Sequence, residues 1–171
     1  MSDETLKVTA FREQEIVMTR VFKASRNLTF EALSGPKLVK RWLLGPPGWS
    51  LPVCKIDLKV GGALRFEWRN DDGRELGMSG VYREIVAPTR IVHTELFDED
   101  WTGGETLATN VLIDENGGTR LTVTVRYQSR AARDSALASG MERGMAASYD
   151  RLADLLDQAA AREATWKRNN A

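Results

Sequence analysis

The chain has 171 residues, with 24 lysines and arginines balanced by 24 aspartates and glutamates, one histidine and one cysteine. That length suits one domain with a sizeable core, the neutral balance without any basic run argues against nucleic acid as a partner, and a lone cysteine excludes an internal disulfide. No apolar run approaches membrane-spanning length and the first twenty residues lack a charged-then-apolar leader, so the expectation is a cytoplasmic protein without membrane insertion.

Residues 1–13 are polar and weakly patterned and are expected to form a tail. From Glu15, the β-rich run Ile16-Val17-Met18-Thr19-Arg20-Val21-Phe22 predicts a first strand. Ser25 or Asn27 can cap a short helix over 28–33, and Gly35-Pro36 stops it. A second short helix then runs from Lys37 to Leu44, with Pro36 at a tolerated first-turn position. Gly45-Pro46-Pro47-Gly48 makes a rigid corner. Six β-type runs follow, near 52–59, 62–69, 76–86, 90–97, 105–113 and 119–127. Gly61-Gly62 bends the chain after the first of them. Asn70-Asp71-Asp72-Gly73, Ala87-Pro88-Thr89, Thr102-Gly103-Gly104 and Asn116-Gly117-Gly118 punctuate the rest as hairpin connections do, which predicts an antiparallel meander.

The closing segment carries the clearest period: Leu137, Met141, Met145, Tyr149, Leu152, Leu156 and Ala159 recur at three- and four-residue spacing, the mark of a helix with one buried face. Its longest stretch is expected over 141–156, across the concave face of the meander. Gly140 and Gly144 each cost about 1 kcal/mol relative to alanine inside a helix. They mark either a helix start or kink near Gly140, or room left for a bound molecule or a close strand. The domain is expected to occupy 14–160, with a tail over 161–171.

Chemistry-bearing residues are sparse. No hydrolytic triad assembles around His93, Cys54 reads as a small buried hydrophobe in a strand, and one histidine with one cysteine cannot build a zinc site. No catalytic residue, metal or cofactor is assigned. Leu64, Phe66 and Trp68 share one face of a strand and Arg65, Glu67 and Arg69 the other. With Trp42, Met141, Met145 and Tyr149, the first set forms either an ordinary core or an adaptable apolar lining for a planar or lipid-like molecule. His93 and Glu95 share a strand face with Ile91 and Phe97. That face points either to the inside, where an unpaired carboxylate is costly and becomes a candidate functional group, or to solvent on the outer side.

Several separate stretches resemble one family. Thr19-Arg20-Val21-Phe22 with Ala24, Phe30-Glu31-Ala32, Pro36, Trp42 and Gly45-Pro46 are similar to its first strand and helix pair. Val53-Cys54-Lys55-Ile56-Asp57-Leu58 with Val60-Gly61-Gly62, and Gly80-Val81-Tyr82-Arg83-Glu84-Ile85 with Pro88 and Arg90-Ile91-Val92, are similar to its central strands. Thr119-Arg120-Leu121-Thr122 and Gly140-Met141-Glu142-Arg143-Gly144-Met145 with Arg151-Leu152 are similar to its last strand and closing helix. The family is the SRPBCC (START-like, Bet v 1-like) superfamily, in the branch named after the C-terminal domain of the activator of heat-shock protein 90 ATPase, and the likeness spans about 14–158. Ser25, Gly35, Leu43 and Met145 depart from the usual proline, acidic residue, second tryptophan and tryptophan.

The resemblance implies an α+β helix-grip fold: a curved antiparallel sheet wrapped around a long C-terminal helix, with two short helices after strand 1 and a cavity between sheet and helix. It implies that Glu95 stands where a tryptophan commonly occupies the inner face. It does not imply one activity. The reading is non-covalent binding of a small hydrophobic or aromatic molecule, with Trp42, Leu64, Phe66, Trp68, His93, Glu95, Met141, Met145 and Tyr149 as candidate contacts. Two rivals stay open: a cyclase- or aromatase-type enzyme using His93, Glu95 or Tyr82, and a stress-response module acting on a chaperone ATPase through a protein partner. A homodimer also stays open.

Overall fold

The computed structural model describes residues 4–171. Eight strands and four helices follow in the order β1 (Lys7–Phe11), β2 (Glu15–Phe22), α1 (Arg26–Ser34), α2 (Pro36–Trp42), β3 (Trp49–Ile56), β4 (Ala63–Asn70), β5 (Glu75–Val86), β6 (Arg90–Phe97), β7 (Thr106–Glu115), β8 (Gly118–Arg126), α3 (Arg130–Ala138) and α4 (Met141–Asn169). The strands form one sheet in the order β1-β2-β8-β7-β6-β5-β4-β3. Every pairing in it is antiparallel. Among the described residues the only non-sequential neighbours are β2 and β8, which set the last strand beside the second before α4 crosses back over the sheet.

Local chemistry explains most of these elements. In β2, Ile16, Met18, Arg20 and Phe22 are buried while the residues between them are half-exposed, the period of a strand with one covered face. Ser25 caps α1, its Oγ accepting from Leu28 N at 3.2 Å, and Pro36 opens α2 where its missing N–H costs nothing. Ile16, Phe22, Leu121, Leu152 and Leu156 are all but fully buried in the core that joins β2, β8 and α4. Arg20, 7% exposed on the concave side, holds the helix to the sheet through Nη1 and Asp150 Oδ1 at 2.5 Å.

Three expectations need correction. Residues 7–11 do not belong to a tail: they pair with β2 from Lys7↔Thr19 to Phe11↔Glu15, so the short helices follow the second strand. The expected C-terminal tail is helical through Asn169. The periodic run from Leu137 is two helices, because α3 ends at Ala138 and Gly140, at φ 84°, serves as the N-cap of α4. A left-handed backbone of that kind is open to glycine without a Cβ penalty, so Gly140 sets a helix start.

The ladder between β5 and β6 is irregular close to Glu95. One register runs through Met78↔Phe97, Ser79↔Leu96 and Tyr82↔His93, and it shifts once, between Tyr82 and Glu84. At Gly80 the strands come so close that a Cβ would lie 1.9 Å from Thr94 O, which only glycine tolerates. The N–H of Val81 donates to the Thr94 hydroxyl at 2.9 Å.

Candidate functional site

A cavity of about 520 Å³ lies between the concave face of the sheet, the end of α2 and the first turns of α4. The corner after α2 shapes one wall and is anchored at both backbone groups of a single residue. Gly45 N donates to Ser148 Oγ at 2.9 Å, and Gly45 O accepts from Arg151 Nη1 at 2.6 Å. Trp42 enters the wall from α2 with its Nε1 donating to Ala32 O at 2.8 Å, and Trp68 from β4 with its Nε1 donating to Leu43 O at 2.8 Å. Both indoles thus spend their one donor on backbone, as buried tryptophans must, and present carbon faces inward.

All nine side chains singled out in the sequence, Trp42, Leu64, Phe66, Trp68, His93, Glu95, Met141, Met145 and Tyr149, line this cavity. His93 and Glu95 therefore take the inner of their two open orientations. Trp42 stacks on Tyr149 with centroids 5.7 Å apart. Trp68 packs edge-on to Phe66 at 5.8 Å, and Phe97 continues the aromatic wall to Trp101 at 4.9 Å.

The polar end is made by β6 and its neighbours. His93 Nδ1 lies 3.8 Å from Glu95 Oε1, and the His93 ring meets Tyr82 edge-on at 5.9 Å. Burial raises the Glu95 carboxyl above the usual carboxylate range, with His93 offsetting part of the rise. The 23% of its side chain that stays accessible opens onto the cavity. Burial also pushes the Tyr82 hydroxyl up to about 12. It raises the Tyr127 and Tyr149 hydroxyls from 10.0 as well, with negative charge on Glu95 adding to the push.

Sequence reasoning missed Trp101, Thr106, Asn110 and Tyr127, which also line the cavity. Tyr127 had a signal, since it continues the buried alternation of Leu121, Val123 and Val125. Trp101 follows β6 in a loop without period, and nothing local marks it. Cys54 is half-buried in β3, and burial raises its thiol despite Lys40, which describes a structural rather than a reactive sulfur. Among the described residues no three His, Cys, Asp or Glu side chains gather as metal ligands, and no helix is long and apolar enough to cross a membrane.

A curved antiparallel sheet gripping a long helix over an apolar cavity defines the helix-grip class of the SRPBCC superfamily. Within it, residues 23–157 match the model of the Activator of Hsp90 ATPase homolog 1-like protein family, and the chain belongs to that family. A crystal structure of a Rhodobacter sphaeroides protein is similar at 33% identity over 90% of this chain and 99% of its own, with a TM-score of 0.85. A Nitrosomonas europaea protein shares the fold at 23% identity, covering 89% of this chain and 99% of its own, with a TM-score of 0.78. An AHSA1-like protein from Aeromonas hydrophila does so at 19% identity, covering 83% and 94%, with a TM-score of 0.66. Among curated proteins none matches the sequence.

Proposed function

We propose that this chain binds a small, mostly apolar molecule, aromatic or lipid-like, non-covalently in the cavity between sheet and helix. The observation that carries the reading is the cavity itself: about 520 Å³ of space walled by aromatic and methionine side chains, with polar groups gathered at one end. This is the form of a small-molecule site, concave and largely apolar with a few oriented polar groups. The space is partly open to solvent, which gives a small molecule a way in.

A thermal-shift and tryptophan-fluorescence screen with planar apolar compounds tests it. At a hundredfold excess over Kd a ligand stabilises by about 2.7 kcal/mol, or roughly 5–11 °C for a chain of this size, with quenching from Trp42 and Trp68. Met145→Trp should narrow the cavity and reduce the shift for the bulkiest compounds first, while the unliganded protein still folds. No shift across a broad set, or shifts that ignore this change for compounds of every size, defeats the reading.

Two other readings have some support. Tyr82, His93 and Glu95 share one wall, which favours an enzyme that moves a proton on its ligand; turnover of a bound compound, read by mass spectrometry, would establish it. Family membership favours action on a chaperone ATPase, which a stimulated ATP hydrolysis rate would reveal.

A further inference from the structure

Among the described residues Glu95 is the one carboxyl in the cavity wall, and the charge-bearing group beside it is the His93 ring. Among the described residues no hydrogen bond reaches its side chain, and His93 Nδ1 at 3.8 Å is beyond bonding range. A carboxyl withdrawn from water either keeps its proton or meets a cation. The groups that face the same space from each packed element are His93 beside it, Tyr82 from β5, Tyr127 from β8, Tyr149 from α4, and Arg74 from the exposed β4–β5 turn. From β7, Thr106 and Asn110 are committed to the β6 backbone, donating to Glu95 O and Ile91 O, each at 3.4 Å. The protein thus supplies acceptors and ring faces around Glu95 but no hydrogen-bonding cation.

Resting on the binding function proposed above, we infer that the occupant is an organic amine: a flat apolar body carrying one ammonium that seats against the Glu95 carboxylate. Ring faces such as those of Phe97 and Trp101 carry negative charge density, which favours an ammonium beside them and disfavours an anion. The Tyr127 and Tyr149 oxygens offer further acceptors. In the empty cavity burial favours the protonated acid. When an ammonium enters, the Glu95 O–H bond breaks, its electron pair stays on oxygen and the proton leaves to solvent, while the N–H bonds of the ligand are unchanged. Binding therefore releases a proton, and affinity for the amine rises with pH, up to tenfold per pH unit, until free Glu95 is itself ionised.

Titration calorimetry of wild type and Glu95→Gln with 2-naphthylmethylamine, 2-naphthylmethanol and 2-naphthoate, between pH 5.5 and 8.5 in two buffers of different ionisation enthalpy, tests this. At pH 7.5 the amine should bind at least tenfold tighter than the alcohol, with the naphthoate weakest, and the buffer comparison should show proton release. Glu95→Gln should cost the amine at least tenfold and move the alcohol by less than threefold. Equal binding of amine and alcohol, or an amine affinity indifferent to Glu95→Gln, overturns the inference and leaves cavity binding intact. Heatless titrations with all three probes remove both. Should the variant fold poorly, the wild-type pH profile decides: a rise for the amine alone supports the assignment, and a flat or falling profile overturns it.

Discussion

Two successive stretches of α4, 141–149 and 152–156, are built from different side chains and face different surroundings. Its first turns present Met141, Gly144, Met145, Ser148 and Tyr149 to the cavity, whereas Leu152, Leu155 and Leu156 further along are buried at 7% exposure or less against the core. Leucine has the volume and defined rotamers to interdigitate with Ile16, Phe22 and Leu121 until no space is left. Glycine and serine lack the volume, and unbranched methionine adapts its shape instead of fixing it. One continuous helix thus leaves a cavity at its start and closes a core at its middle.

The largest effect should come from the leucine stretch. Leu152 is 0% exposed, and Leu152→Ala should cost about 2–5 kcal/mol, lowering the melting temperature by roughly 5–20 °C. Affinity for a cavity probe, measured well below the melting point, should stay within threefold. If affinity collapses with stability, the two stretches are not separable.

A smaller effect, of opposite sign, should come from the cavity that the first turns of α4 face, at Glu95 on β6. The folded state holds the Glu95 proton above 4.5, where the unfolded chain releases it. The stability associated with the neutral acid is therefore complete below that pH, declines as pH rises toward the raised folded value, and is level beyond it. Each tenfold preference for the proton is worth about 1.4 kcal/mol. Glu95→Gln removes the decline, so urea unfolding should find the variant the more stable of the two at neutral pH and the difference gone near pH 4. Parallel profiles would mean that Glu95 is as well solvated as a surface carboxylate.

The smallest effect separates a glycine kept for space from one kept for the backbone. A Cβ at Gly144 would meet Pro46 Cδ at 3.4 Å and Cγ at 3.7 Å, ordinary contact distances. Gly144→Ala should therefore stabilise by about 0.4–1 kcal/mol through the unfolded chain, a rise of roughly 1–4 °C. A fall in melting temperature would show that the proline corner already presses on the helix.

What could be read from the sequence follows the same division. Wherever one face of an element is buried and the other wet, as in β2, β8 and α4, the period gives the element and the side chains that point inward. β1 escaped because Val8 alone is half-buried among exposed neighbours, so Lys7–Phe11 has no alternation to show; its partner β2 makes it a strand. The break at Gly140 was legible as a glycine cost, but its left-handed φ depends on how α3 turns into α4. In the site, parity along single strands grouped Leu64 with Phe66 and Trp68, and His93 with Glu95, but left open which face the second group takes. Asn110 and Thr106 came into view only through the pairing of β6 with β7, from Ile91↔Asn110 to Glu95↔Thr106. Which residues of one strand stand beside another is fixed by register, and a single sequence does not display register.

The Val81 N–H that rests on the Thr94 hydroxyl bears on the mechanics of the sheet. Most rungs of a ladder join main chain to main chain and open only when a strand moves. This one ends on the hydroxyl of Thr94, itself 4% exposed, so what must move to open it is one packed side chain rather than a strand. It lies next to Glu95, where Gly80 lets β5 come close to Thr94 O, so the strand that carries His93 and Glu95 is tied to β5 at this point by a side chain instead of by its backbone.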